Sequence, residues 1–198
     1  VPLESIGGQI AMDRVSVFFG SGFHLVCYPL PHRGQVNLAL FMPGAIPPEG
    51  AQPRPRHAGP RVEALLTAAA DNWTAWPMYT VDTPLWHQGN IGIIGDAAHA
   101  MVPFQAQGAA MGIEDAATLA PLLMGTESTE TGLSRYAGIR QPRARRVAAL
   151  SAENGRIFHM AWPLSLARNI VMRLLGPRGH LKRLAWVYSH DVGDSPAP

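Results

Sequence analysis

The sequence has one cysteine, Cys27, and its 16 basic residues are all arginine except Lys182. A lone cysteine excludes an internal disulfide framework and any multi-cysteine zinc site. Charge of one sign is also scarce: 16 basic residues stand against 14 acidic ones, a formal net charge of +2. No concentrated basic patch follows from that balance, so no nucleic-acid partner is expected. No run of about 18 uncharged apolar residues occurs, so no membrane partner is expected. The most apolar late segment, 164–175, is interrupted by Arg168 and Arg173. Residues 1–10 show no basic region followed by an apolar run, so no signal peptide is expected. The expected location is cytoplasmic. The first residue is Val rather than Met, which reads as a piece of a longer protein or a trimmed chain.

What is present suits a folded protein. Of 198 residues, 47% are hydrophobic and 15% charged, a globular rather than a disordered composition. Twenty glycines and 18 prolines imply many turns. There is no internal repeat.

The first forty residues read as an antiparallel meander. Strands are expected at Arg14 to Phe19, Phe23 to Leu30 and Gln35 to Met42, with turns at Gly20-Ser21-Gly22 and at Pro31 to Gly34. Six prolines and three glycines make 43–60 a loop. A short helix follows at Arg61 to Ala70, with Val62, Leu65 and Leu66 on one side. The apolar run from Asn90 to Gly95 reads as a buried strand of the parallel type. Gln107 to Met124 reads as a long helix with Ile113, Ala116, Ala117, Ala120 and Leu123 on its apolar face, ended by Gly125. The rest is helical. Leu133, Tyr136 and Ile139 form a stripe, and Pro142 is a point for a kink or restart. Pro163 to Leu175 is closed by Gly176-Pro177, a last helix spans Arg178 to Trp186, and the tail from Asp191 is frayed.

Chemistry concentrates in 92–116. A buried strand ends in an acid, Asp96. A loop of small residues with one proline follows, and then a helix opening on Gly108-Ala109-Ala110. The first N–H groups of that helix are sterically bare, which suits a ligand carrying negative charge. Asp96 stands where a strand leaves a sheet, the usual ligand side of α/β folds, and its carboxylate can accept hydrogen bonds from sugar-like hydroxyls. An ordinary βα unit, with Asp96 as a cap, accounts for the spacing equally well.

The length of the pattern separates the two readings. Gly95-Asp96-Ala97-Ala98-His99, Pro103, Gln107-Gly108-Ala109 and Ile113-Glu114-Asp115-Ala116 resemble the flavin-binding "GD" motif of the FAD-dependent aromatic monooxygenases, the para-hydroxybenzoate hydroxylase-like flavoproteins. The salicylate and 6-hydroxynicotinate hydroxylase branch is the most similar. Phe23 to Pro29 with Val36-Asn37-Leu38 resembles that family's substrate-domain strands. Arg135-Tyr136 with Arg140 to Ala144 resembles its post-motif helix, and Trp186-Val187-Tyr188 with Asp191 its ending. The likeness covers nearly the whole chain but only about the C-terminal half of such an enzyme. No G-x-G-x-x-G follows a strand, and the family's Asp-Gly fingerprint is absent, so the site for the ADP part of FAD is missing.

The resemblance implies an α+β fold: an antiparallel or mixed substrate-domain sheet, one βα flavin-motif unit, and C-terminal helices, without the N-terminal Rossmann half. The implied regions are 1–83, with the Pro-rich loop 43–60, then 84–125 and 126–198. The implied activity is hydroxylation of an aromatic substrate with FAD, NAD(P)H and O2 by way of a flavin hydroperoxide, the isolated chain being inactive. Asp96 would bind the ribityl hydroxyls and Pro103 would lie near the flavin ring. The N–H groups of Gly108, Ala109 and Ala110 would face the pyrimidine edge, with Gly95 shaping the loop. The expected partners are a small aromatic substrate and either a second copy of the chain or a missing N-terminal half. Two rivals remain open: a non-catalytic remnant acting as an association module, and a flavin epoxidase of the same superfamily.

Substrate contacts are open at this point. His24, Val26 and Tyr28 share one strand face, and the family resemblance places a His and a Tyr at this spacing in the substrate pocket. A core tyrosine and a satisfied or exposed histidine fit equally. His99 is read as part of the loop shape rather than as a base or metal ligand, and no metal site is expected. Glu114 and Asp115 suit the start of a helix and are read as solvated or ion-paired. The run Arg140, Arg143, Arg145, Arg146 is read as a solvated face. The tryptophans are read as core and interface anchors.

Overall fold

The computed structural model describes residues 1–6, 8–46, 48, 51–70, 72–125 and 128–194. Two compact units emerge: Val1–Pro77 with Arg156–Val171, and Met78–Gly155 with Met172 onwards.

The first unit is built on three antiparallel strands in sequence order, β1 (Ser16–Gly20), β2 (Phe23–Leu30) and β3 (Gln35–Phe41). The expected meander is therefore present, with β1 starting two residues later than the sequence pattern suggests. Glycine makes both reversals: Gly22 at φ 75° and Gly34 at φ 61° adopt the left-handed conformation that side chains disfavour. Alternation sends Phe23, Leu25 and Cys27 to one face of β2, where they pack with Val36, Ile6 and Ile10. Helix α1 (Pro60–Ala69) adds Val62 and Leu65 to this core. Its proline occupies the first turn, where no N–H is needed. Burial pushes the Cys27 thiol up to about 12, so it is an inert core group.

The second unit carries a hairpin of β4 (His87–Gln88) and β5 (Ile91–Gly92), then α2 (Asp96–His99), α3 (Gly108–Gly125) and most of α4 (Thr129–Phe158). The later part of α5 (Leu164–Tyr188) completes it. Trp86, Ala98, Tyr136, Ala137 and Ala144 form its central cluster.

Three expectations are corrected here. The run 90–95 is not a buried parallel strand. Only Ile91 and Gly92 are extended; they pair antiparallel with β4, and Ile91 is 75% exposed. Among the described residues no parallel neighbour lies beside them. Helix α3 has the expected span, but it buries the opposite face. Met111, Asp115 and Thr118 are buried, whereas Ile113 is 70% exposed and Ala116, Ala117, Ala120 and Leu123 are exposed too. The reason is electrostatic: the helix turns its acids toward arginines of α4. Helix α4 runs unbroken through Pro142. By contrast Gly176, at φ 58°, breaks α5 where the Gly-Pro pair predicts. The anticipated frayed tail lies outside the described residues from 195 onward; 192–194 form a tight turn.

Candidate flavin site

The loop between β5 and α3 is held from below. Gly95, at φ 58° and ψ −139°, occupies backbone space that is nearly glycine-only. Its N–H donates to Asp115 Oδ2 at 2.9 Å. Its carbonyl accepts the amides of Ala98 and His99, each at 2.9 Å, which starts α2. Val102, Phe104 and Gln105 are tied to α4: Ser151 donates to the Val102 carbonyl, and Asn154 donates to the Phe104 carbonyl and the Gln105 side chain. Gln105 in turn donates to the Tyr188 hydroxyl at 2.8 Å. Phe104 lies against Gly155, where a Cβ would come within 2.6 Å of its ring.

Between this loop and the start of α3 lies an open depression of about 480 Å³, lined by Gly95, Asp96, Met101, Pro103, Ala106, Gly108, Ala109 and Gly112. That volume falls within the usual range for small-molecule sites. Five of the six expected cofactor residues line it; Ala110, the sixth, is one residue further into α3 and is not part of the wall. The Gln107 carbonyl accepts the Met111 N–H at 2.9 Å, so Gly108, Ala109 and Ala110 are the amides without an intrahelical acceptor. Asp96 is exposed, and no side chain among the described residues pairs with its carboxylate. Small walls, bare amides and a free carboxylate fit a flat, hydroxyl-bearing, electron-rich group such as the flavin end of FAD.

Beneath the depression lies a buried ion network that the sequence reading missed. Asp115 receives His99 Nε2 on Oδ2 at 2.6 Å and Arg140 Nε on Oδ1 at 2.8 Å. Glu114 is gripped by Arg140 at 2.5 Å and by Arg143 at 2.6 and 2.7 Å. Arg143 also donates to the carbonyls of Trp186 and Val187. Burial alone would raise the Asp115 carboxyl. Donors from His99, Arg140 and Gly95 outweigh it and hold the group at about 2. Burial and the Asp115 charge push the Tyr136 phenol up.

The arginine run is therefore a solvated face only in part. Arg140 is 1% exposed and Arg143 is mostly covered, while Arg145 and Arg146 are exposed, Arg146 stacking over the Trp186 ring at 3.8 Å. One signal pointed to this: Arg140 occupies the same helical stripe as Leu133, Tyr136, Ala144 and Val147. Glu114 and Asp115 are ion-paired and not solvated. The tryptophans divide: Trp86 is core, whereas Trp76 and Trp162 are exposed.

The two substrate candidates lie in the first unit. His24 is buried; Nδ1 meets His159 Nε2 at 2.8 Å, and its ring stacks on Phe41 at 4.6 Å. Burial, then the neighbouring His159, holds it down at about 4. Tyr28, on the same strand face, is half-exposed rather than a core aromatic.

Residues 58–151 match the FAD binding domain family. A salicylate hydroxylase of Pseudomonas putida is 30% identical over 204 residues, which cover 91% of this chain and 45% of that protein. A 6-hydroxynicotinate 3-monooxygenase of Bordetella bronchiseptica is 40% identical over 167 residues, covering 77% of this chain and 43% of that protein. Among solved structures, a salicylate hydroxylase substrate complex superposes with a TM-score of 0.71 at 22% identity, covering 98% of this chain and 53% of the other. HpxO of Klebsiella pneumoniae, complexed with FAD and uric acid, gives 0.72 at 20% identity, covering 89% and 48%. These two likenesses concern the fold. The chain spans about half the length of the curated relatives it matches. Over most of its own length the chain is thus similar to these hydroxylases, and its middle part matches the FAD binding domain family.

Proposed function

We propose that this chain supplies the flavin-ring portion of the FAD site in an enzyme that hydroxylates a small aromatic substrate with NAD(P)H and O2. The observation that carries the reading is the coincidence of Gly95, Asp96, Pro103, Gly108 and Ala109 around one depression at the open end of α3. FAD, when bound and reduced by NAD(P)H, supplies the oxygen chemistry. The chain's own residues bind and orient. The Asp96 carboxylate accepts hydrogen bonds from ribityl hydroxyls. The amides of Gly108, Ala109 and Ala110 donate toward the pyrimidine edge, where the helix end favours negative charge. Pro103 and the small residues around it let a flat ring lie against the backbone and keep water from that face. Tyr28 and His24 are assigned to the aromatic substrate, Tyr28 through its accessible hydroxyl. His24 is buried and bonds to His159, so its contribution is to hold the strand that carries Tyr28.

Titration of the purified chain with FAD, read by flavin fluorescence and calorimetry, tests the reading. Saturable binding is expected, weakened about tenfold in Asp96→Ala through loss of a charge-assisted hydrogen bond. Turnover of NAD(P)H by the isolated chain is expected to be negligible, because the sequence holds no glycine-rich turn for the ADP part of FAD. A well-folded chain with no saturable FAD binding would overturn the proposal.

A further inference from the structure

We infer that Asp115 and His99 act as a positioning pair for the Gly95–His99 loop, an inference that rests on the cofactor reading above. The geometry forms a closed circuit. Gly95 N–H donates to Asp115 Oδ2, the His99 ring donates to the same oxygen, and the His99 backbone N–H returns to the Gly95 carbonyl. One carboxylate oxygen thus fixes both ends of the short segment that projects Asp96 outward. The other oxygen is held by Arg140, so the carboxylate cannot rotate away.

The backbone and the ring each point to the same cause. Gly95 sits in a conformation that its neighbours must impose. An acceptor below its N–H does so. His99 is 5% exposed, and its Nδ1 is buried and meets no hydrogen-bond partner among the described residues. Its Nε2 contact with Asp115 is therefore the one hydrogen bond among the described residues that orients the ring. Facing a charged carboxylate, Nε2 carries the proton. The loop is in this way set before any cofactor arrives, and flavin affinity depends on residues that do not line the depression.

Residue-resolved hydrogen exchange on the full chain tests this without a ligand. In the unmodified chain the Gly95 amide should exchange about a hundredfold more slowly than that of Ala97, the second residue of α2. In His99→Leu the Gly95 amide should lose about tenfold or more of its protection, while the amides of Tyr136 and Val147 keep theirs. His99→Gln, which keeps an N–H donor, should recover most of the loss. Dissociation constants for FAD should rise in His99→Leu by a similar factor. A Gly95 amide as fast as that of Ala97 in the unmodified chain overturns the proposal. So does uniform acceleration of all amides, or failure of His99→Gln to recover protection. If the variants do not fold, the unmodified chain's Gly95 amide decides alone. Absence of FAD binding by the unmodified chain sinks the cofactor reading and leaves the exchange test standing.

Discussion

Strand β2 and helix α3 solve the problem of burial in opposite ways. In β2 the apolar residues Phe23, Leu25 and Cys27 alternate inward and form an ordinary core. In α3 the fully buried Asp115 and the largely covered Glu114 face inward, while Ile113, Leu123 and Met124 face out. The strand is held by removal of apolar surface from water, which tolerates small changes of shape. The helix is held by charges that have been desolvated together. Such charges are cheap only while all partners remain.

Removing one partner on each side gives the largest effects and the sharpest contrast. Arg140→Leu takes away the cation shared by Asp115, Glu114 and the Met111 carbonyl, leaving Asp115 to His99 and the Gly95 amide and Glu114 to Arg143. A loss of about 3–5 kcal/mol is expected from breaking a buried pair. Leu25→Ala, at a fully buried position in β2, should cost about 2–5 kcal/mol through lost contacts and a cavity. The two numbers overlap; the rescue does not. Adding Asp115→Asn and Glu114→Gln to Arg140→Leu should recover part of the loss, since neutral amides cost less to leave buried. No second change of charge should help Leu25→Ala. Urea denaturation of the four chains measures it, and equal cost for Arg140→Leu with and without the amides would break the comparison.

How much of this was legible in the sequence follows the same divide. Alternation and glycine turns specify β1 to β3, because burying apolar side chains every second residue leaves a pattern that one strand carries by itself. The loop and the start of α3 were legible through the resemblance of Gly95 to Ala116 to a known motif. The facing of α3 was not. A helix reads as amphipathic by its apolar stripe, and here that stripe is exposed. What decides the facing is Arg140, 25 residues beyond Asp115, and a single helix's periodicity contains no such information. The strand at 90–95 was misread for a related reason: an apolar run implies burial only if something lies on it.

Acid should separate the two regions in order. His24 is held at about 4 against an ordinary 6.5, and burial lowers its partner His159 as well. The unfolded chain then takes up protons below pH 6.5 that the folded chain refuses. Stability drawn from this side is present above pH 6.5 and is lost as pH falls toward 4. Asp115 is held at about 2 against 3.8, and Glu114 is also lowered. Stability from the network is fully present above about pH 4.5 and is lost as pH falls toward 2. Thermal unfolding from pH 7 to 2 should therefore show two steps of declining midpoint. His24→Asn should flatten the upper step and leave the lower one. A single step, or an upper step that survives His24→Asn, contradicts this assignment.

The smallest expected effect is the most telling about the exposed side of α3. Ile113 is 70% exposed, so Ile113→Ser removes little buried surface and should change the unfolding free energy by less than about 0.5 kcal/mol. Met111, two residues earlier and fully buried, should lose several times as much in Met111→Ser, because it adds an unpaired hydroxyl to a cavity. If instead Ile113→Ser costs as much as Met111→Ser in dilute solution, the apolar face of α3 is covered in the isolated chain. Sedimentation at several concentrations then separates the causes. A cost that fades on dilution means a second copy covers the face; a cost independent of concentration means the helix packs its apolar side within the chain, and the inverted facing of α3 falls with it.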